Sequence, residues 1–182
     1  MNSNTISLKD GRRLEIRPAR PSDAAALIAY VEDVCAESDN LTFGPGEFGM
    51  TLVQEMKFLR GAAAADNQVY LLGLVGGRIA AALNFAGGKR PRTRHSGEFG
   101  ISVRKEFWNL GVGSAMLDAL IEWARRGGIV RKIGLRVRTD NPRAIALYEK
   151  KGFIREGTLR AELAVGGAFY DLHAMALFLQ GS

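Results

Sequence analysis

The spacing of hydrophobic positions changes repeatedly along the chain, and each change predicts a new element of secondary structure. Alternating or unbroken apolar residues predict strands at residues 6–8, 14–16, 69–75, 79–85, 99–103, 133–137, 153–165 and 169–179. Apolar residues three and four positions apart predict helices at residues 24–36, 52–65, 116–124 and 142–151. Strands and helices are therefore interleaved along the chain.

Turn residues between these segments indicate how the strands connect. The glycine pairs Gly76-Gly77 and Gly166-Gly167 separate adjacent strands and predict tight hairpins, as does Asp10-Gly11 near the N-terminus. Because hairpins fall at both ends of the predicted sheet, a purely parallel arrangement is excluded. The pattern predicts a mixed, largely antiparallel α/β sheet flanked by helices.

Length and composition favour one globular domain over residues 1–182. Hydrophobic residues make up 47% of the chain and charged residues 24%, and no apolar run approaches the ~20 residues that span a bilayer. The first residues lack the apolar core of a secretory signal. We therefore expect a cytoplasmic protein with no membrane partner.

Residues that commonly hold metal ions are scarce. The single cysteine, Cys35, cannot form an internal disulfide, and two separated histidines, His95 and His173, do not complete a metal site. Cys35 falls on the apolar stripe of the first predicted helix, which favours packing over a nucleophilic role. We expect no metal cofactor.

The net charge of +6 is unevenly distributed. Residues 104–160 carry thirteen basic and six acidic side chains, whereas residues 21–66 carry eight acidic and two basic ones. The later segment suits a polyanion and the earlier one a cation. A further cationic run, Lys89 to Arg94, permits nucleic-acid binding, but it lacks the interleaved aromatic residues typical of that function.

Gly111 and Gly113 directly precede a predicted helix, where unpaired N–H groups and the positive end of the helix dipole favour a phosphate. Such glycines are equally compatible with a simple turn. The segment matches neither G-x-G-x-x-G nor GxxxxGK[ST], so dinucleotide-binding and P-loop interpretations lack specific support.

A wider pattern joins this turn to a later helix: Val103, Trp108-x-x-Gly111-x-Gly113, and Asn141-x-x-Ala144-x-x-Leu147-Tyr148-x-x-x-Gly152-Phe153. Over nearly the whole chain it resembles the GNAT superfamily of acetyl-coenzyme A-dependent N-acetyltransferases. The resemblance implies a sheet splayed at its centre, with pantetheine in the opening and pyrophosphate on the glycine turn. The implied cofactor contacts are Ile101, Val103, Leu110, Gly111, Val112, Gly113, Ser114, Asn141 and Tyr148. The family often has Gln or Arg where this chain has Trp108, which we interpret as a core residue.

The resemblance also implies two catalytic residues. Tyr148 would protonate the departing thiolate, and Glu98 would accept the amine proton through water. Each has an alternative interpretation: Tyr148 as a half-buried packing residue, and Glu98 as a solvated charge on a strand. Asn141 before Pro142 is a favourable helix N-cap, a role compatible with a pantetheine contact.

The predicted activity is direct transfer of an acetyl group from acetyl-coenzyme A to a primary amine of a small molecule or a protein N-terminus. The acidic character of residues 21–66 predicts a preference for cationic amines. The alternative is a binding module, either a non-catalytic sensor of acyl-coenzyme A or a basic nucleic-acid binder. No specific nucleic-acid partner is expected, and the final hairpin is a candidate homodimer contact by the same resemblance.

Overall fold

The computed structural model describes residues 3–179, in which eight strands and four helices form one mixed α/β unit. The strands are β1 (Asn4–Ser7), β2 (Arg13–Pro18), β3 (Gln68–Val75), β4 (Arg78–Gly87), β5 (Ser96–Val103), β6 (Lys132–Arg138), β7 (Ile154–Val165) and β8 (Ala168–Phe178). The helices are α1 (Ala24–Glu37), α2 (Leu52–Ala64), α3 (Val112–Gly127) and α4 (Pro142–Lys150). Every predicted element is present, with ends shifted by a few residues.

The strands form a single sheet in the order β1-β2-β3-β4-β5-β6-β8-β7. Neighbours are antiparallel except β5 and β6, which are parallel. This pair is joined only from Ser96 to Glu98 on β5 and from Lys132 to Gly134 on β6. The sheet is therefore mixed and largely antiparallel, and it opens at its centre where β5 and β6 diverge, as the resemblance implied.

Two hydrophobic cores lie on opposite faces of the sheet. One packs α3 and α4 against the sheet and includes Phe85, Leu117, Leu120, Ile133 and Tyr148. The other packs α1 and α2 and includes Leu27, Tyr30, Leu59, Leu72 and Ala82. Because successive strand residues point to opposite faces, β5 presents Phe99, Ile101 and Val103 to the α3 and α4 side. Its residues Glu98, Gly100 and Ser102 face the α1 and α2 side.

Local sequence explains where the helices begin and end. Thr51 caps α2 by accepting a hydrogen bond from the Gln54 N–H. Gly152 follows α4 with a φ of 88°, a left-handed conformation that glycine adopts without strain. None of the helices within residues 3–179 is both long and apolar enough to cross a membrane.

Candidate active site

The opening between β5 and β6 exposes backbone groups that a regular sheet would pair. The Arg104 N–H donates to the Ala80 carbonyl at 2.9 Å, so backbone groups of alternate residues on β5 point toward β4. The intervening residues Ile101 and Val103 therefore direct their backbone groups into the opening. An extended ligand inserted there could pair with this free edge.

A tight turn links the end of β5 to α3 and leaves a row of amides free. Asn109 and Gly111 have φ values of 63° and 96°, and the Ala115 N–H is the first to bond back, to the Gly111 carbonyl at 3.0 Å. The N–H groups of residues 110–114 donate to no acceptor within residues 3–179. With the positive end of the 16-residue helix α3, they form a site suited to a phosphate.

Gly111, at the end of this turn, and Gly113, in the first turn of α3, have different structural roles. A Cβ at Gly111 would meet no atom within 4 Å, so its positive φ explains the glycine. At Gly113 a Cβ would lie 3.2 Å from Leu147 Cδ2, so this glycine permits close packing of α3 on α4. The sequence alone had not distinguished the roles of the two glycines.

Trp108 holds the turn against β5. Its indole Nε1–H donates to the Val103 carbonyl at 2.7 Å, and the Arg143 guanidinium lies 4.2 Å from the ring centroid. The residue is only half-buried. Our interpretation of Trp108 as a core residue is therefore incomplete. The side chain occupies the Val103 carbonyl at the end of the opening, and its ring holds the Arg143 guanidinium beside the turn.

Asn141 caps α4 as predicted. Its Oδ1 accepts a hydrogen bond from the Ala144 N–H at 3.2 Å, and its own N–H donates to the Arg138 carbonyl at 3.1 Å. Since Arg138 ends β6, these bonds place Asn141 just beyond the end of the strand that diverges from β5. A contact with pantetheine remains a prediction.

Tyr148 lies in an aromatic cluster beneath the opening. Its ring packs edge-on against Phe99 and Phe153, with centroids 5.9 and 6.0 Å away. Burial raises the pKa of Tyr148 to about 12, and its hydroxyl makes no hydrogen bond within residues 3–179. The phenol is therefore protonated at neutral pH, fixed in position, and free to donate a proton.

Glu98 lies on the opposite face of β5, at the last paired position before the strands diverge. Its side chain is 58% exposed, and its Oε2 lies 3.5 Å from the Arg136 Nε. Arg136 also pairs with Glu162, at 2.6 Å. Since Tyr148 packs on the other face through Phe99, the two predicted catalytic residues flank β5 from opposite sides.

A cavity of about 150 Å³ lies farther out on the α1 and α2 side. Residues 38–47 form one wall and residues 163–166, at the tip of the β7–β8 hairpin, form the other. Its carboxylates come from Asp39 and Glu47. Cys35, buried on α1, is also in its lining, and burial raises the pKa of this thiol.

The remaining candidate residues are not brought together into a site. Within residues 3–179, no group of three or more His, Cys, Asp or Glu side chains is arranged to hold a metal ion. His173 bonds through Nδ1 to the Thr158 hydroxyl at 2.9 Å. The cationic run from Lys89 to Arg94 is an exposed turn, in which Arg94 pairs with Asp66 at 2.6 Å.

Comparison with known proteins supplies independent information. Residues 36–153 match the model of the Acetyltransferase (GNAT) family. An L-amino acid N-acetyltransferase from Escherichia coli (strain K12) is 35% identical over 106 residues, which are 58% of this chain and 65% of that enzyme. A spermidine N(1)-acetyltransferase from Vibrio cholerae is 31% identical over 80 residues, 44% of this chain and 46% of that enzyme. The chain thus covers less than two thirds of either relative.

Among solved structures, an acetyltransferase of the GNAT family from Streptococcus pneumoniae is similar over most of its length. It is 37% identical, with a TM-score of 0.88, and the superposition covers 92% of this chain and 99% of that one. The opening, the glycine turn and the helices around them therefore belong to an architecture shared with that protein.

Proposed function

This chain belongs to the acetyltransferase (GNAT) family, and from that premise we propose that it transfers the acetyl group of acetyl-coenzyme A directly to a primary amine. The observation that carries the proposal is the sheet opening at β5 and β6, with a row of uncommitted amides at its end. An extended chain ending in phosphates fits such a combination of free strand edge and helix N-terminus. The acceptor is a small-molecule amine or a protein N-terminus.

The residues would hold acetyl-coenzyme A in three places. Residues 110–114 would bind the pyrophosphate through their N–H groups. The backbone of Ile101 and Val103 would pair with pantetheine, with the Val103 carbonyl already taken by Trp108. Asn141, at the end of β6, would contact the pantetheine from the other wall.

The bound thioester supplies an activated acetyl group, and two side chains carry out the proton transfers. Glu98 accepts a proton from the incoming ammonium through water, which leaves a neutral amine to attack the carbonyl carbon. Tyr148, which is protonated at neutral pH, donates its proton to the sulfur as the carbon–sulfur bond breaks. Free N–H groups on β5 stabilise the developing oxyanion.

The test is release of free thiol from acetyl-coenzyme A across a panel of amines, with product mass confirming N-acetylation. Turnover with at least one amine, and its loss in the Tyr148→Phe variant, is the expected result. Tight coenzyme A binding with no turnover on any amine would favour a non-catalytic acyl-coenzyme A sensor. Sequence-selective DNA binding at physiological salt would favour the nucleic-acid alternative.

A further inference from the structure

Most of the acidic residues in the negatively charged segment 21–66 have partners within the protein. Six of the eight are paired: Asp23 with Arg17, Glu32 with the Gly46 N–H, Asp33 with Arg104, Glu37 with the Lys105 N–H, Glu47 with the Gly44 N–H, and Asp66 with Arg94. Asp39 is exposed to water. Glu55 on α2 differs from all of these because it is buried.

Glu55 is 2% exposed, and its Oε1 is buried with no hydrogen-bond partner within residues 3–179. A buried polar atom without a partner destabilises the folded protein, and more strongly when the group is charged. An apolar residue at the same position of α2 would avoid this cost. The carboxyl group is therefore poorly explained by folding alone, and a partner supplied by a ligand would satisfy it.

Tyr70 on β3 links Glu55 to the sheet. Its ring packs edge-on against Phe58 of α2, with centroids 6.1 Å apart. Burial raises the pKa of Tyr70, and the nearby carboxyl of Glu55 raises it further. Across the sheet, Tyr70 pairs with Asn84 on β4, and Asn84 pairs with Gly100 on β5. Two strand spacings, roughly 10 Å, thus separate Tyr70 from the strand that borders the opening.

The side chains on the strands between Glu55 and the opening carry polar groups that are free to bond a ligand. Tyr70 and Asn84 are half-buried, and their side chains make no hydrogen bond within residues 3–179. Gly100 beside them has no side chain, and a Cβ there would lie 3.1 Å from Asn84 Oδ1. Two half-buried polar side chains, Tyr70 and Asn84, therefore lie on the two strands between α2 and β5.

Within residues 3–179, no basic side chain forms an ion pair with Glu55, and burial alone raises its pKa. From α1 comes Tyr30, whose hydroxyl bonds to Ser102 at 3.0 Å, and from β3 comes Tyr70. The turn before α1 contributes Asp23, whose carboxylate is paired with Arg17 at 2.7 Å. The counter-charge is thus available neither from α1, nor from β3, nor from this turn.

We propose that Glu55 is the counter-ion for a second cationic group of the acceptor. This inference rests on the proposed acetyl transfer. The preferred substrates would be amines with another ammonium or guanidinium group, on a linker that reaches from β5 across β4 to β3, a span of about 10 Å. Tyr70 and Asn84 would contact the linking segment.

The empty and occupied sites differ in protonation. Burial raises the pKa of Glu55, which favours the neutral acid when no ligand is present. A bound cation favours the carboxylate, so binding releases a proton from molecules in which Glu55 was neutral. Affinity for a dication therefore rises with pH through the pKa of Glu55, as long as the dication keeps its charge.

The decisive experiment compares α,ω-diaminoalkanes, from the propane to the octane member, with alkylamines of the same length. Specificity is measured as kcat/KM by thiol release, and binding by calorimetry. Wild type should favour the best diamine over its matched monoamine at least tenfold. Glu55→Gln should remove that preference while monoamine turnover is kept, and Glu55→Asp should retain part of it. Glu15→Gln, which removes a carboxylate on β2, is the matched charge control and should leave the preference intact.

A pH series supplies a second readout that a purely structural role would not change. Over a range in which alkyl ammonium groups, with a pKa near ~10, stay protonated, diamine affinity should rise with pH in wild type and remain flat in Glu55→Gln. An unchanged diamine preference in a folded Glu55→Gln variant, or none in wild type, overturns the proposal. If diamines bind in a way that depends on Glu55 but no thiol is released, the role of Glu55 is supported and only the proposed acetyl transfer is contradicted.

Discussion

The two sides of the open sheet differ in how far apart in sequence their polar groups lie. On the cofactor side, where we propose that acetyl-coenzyme A binds, the free amides and strand edge come from residues 101–114, one continuous segment. On the acceptor side, the face for which we propose the amine contacts, Glu55, Tyr70, Asn84 and Glu98 come from four separate elements. The cofactor side therefore relies on local backbone geometry, whereas the acceptor side relies on tertiary packing.

The same contrast explains the distribution of charge. Residues 104–160, which include the glycine turn, carry the basic excess, and residues 21–66 carry the acidic excess. Most of these acidic groups are paired within the protein. The net charge of residues 21–66 therefore overstates the number of carboxylates available to a ligand. Glu55 is distinguished from the other acidic residues by its burial and by an oxygen with no hydrogen-bond partner within residues 3–179, not by the number of charges in the segment.

Removing one hydroxyl from each side gives the largest expected contrast. Tyr148→Phe should lower kcat by about 10²–10⁴-fold with the Kd of acetyl-coenzyme A nearly unchanged, because the proton is needed only in the transition state. Tyr70→Phe, the matched change on the acceptor side, should instead raise the acceptor KM. Rapid-mixing kinetics and calorimetry separate these effects. A Tyr148→Phe loss below about tenfold would assign the proton to another donor.

The pH profile provides a further check on Tyr148. Only its protonated form can act as the acid, and its pKa is raised to about 12. This residue therefore contributes no falling limb to kcat between about pH 6 and 9. A falling limb in that range that disappears in Tyr148→Phe would contradict the assignment.

The amide row is tested by adding a negative charge that should not harm the fold. Ser114→Glu places a carboxylate in the first turn of α3, where the helix dipole favours it, so thermal stability should stay level or rise. The same charge should repel the pyrophosphate and weaken coenzyme A binding by about 10–100-fold, a penalty of roughly 1.4–2.8 kcal/mol. Acetyl-pantetheine lacks the pyrophosphate and serves as the control ligand, whose affinity should stay level. Equal losses for both ligands would locate the pyrophosphate elsewhere.

Much of the fold was predictable because hydrophobic spacing and glycine turns are local signals. The hairpins at Gly76-Gly77 and Gly166-Gly167 and the cap at Asn141 are present as predicted. The divergence of β5 from β6 has no local signal, since both strands alternate regularly, and only the family resemblance implied it. The packing role of Gly113 could not be predicted from the sequence, because it depends on contact with Leu147 in another helix.

The acceptor side could not be predicted from sequence for a physical reason. Glu55 is the single acidic residue of the amphipathic helix α2, and acidic residues on such helices are usually solvated. Only packing against Tyr70 and the sheet shows that its carboxyl is buried. The one available signal is its position four residues before the buried Leu59, which places it on the inward stripe of α2.

The base on β5 should have a smaller effect than the acid. Glu98→Gln should lower the rate by about tenfold at low pH, where the amine is charged, and recover as pH approaches the amine pKa of ~10. Glu162→Gln is the matched control, because Glu162 pairs with the same Arg136. A pH-independent loss, or an equal loss in Glu162→Gln, would assign Glu98 to positioning Arg136. Initial rates across pH with a single amine measure the difference.

The smallest expected effect concerns Trp108, the residue whose role the sequence left least defined. Trp108→Phe keeps an aromatic ring for Arg143 to cover but removes the 2.7 Å bond from the indole N–H to the Val103 carbonyl. A hydrogen bond of this kind contributes about 0.5–1.5 kcal/mol, so a turn held by it should bind coenzyme A about 2–10-fold more weakly once it is lost. Acceptor KM should be unaffected, because Glu55 and Tyr70 lie across the sheet. Tighter coenzyme A binding in the variant would mean instead that Trp108 blocks an acceptor which pantetheine would otherwise use, and calorimetry with acetyl-pantetheine distinguishes the two outcomes.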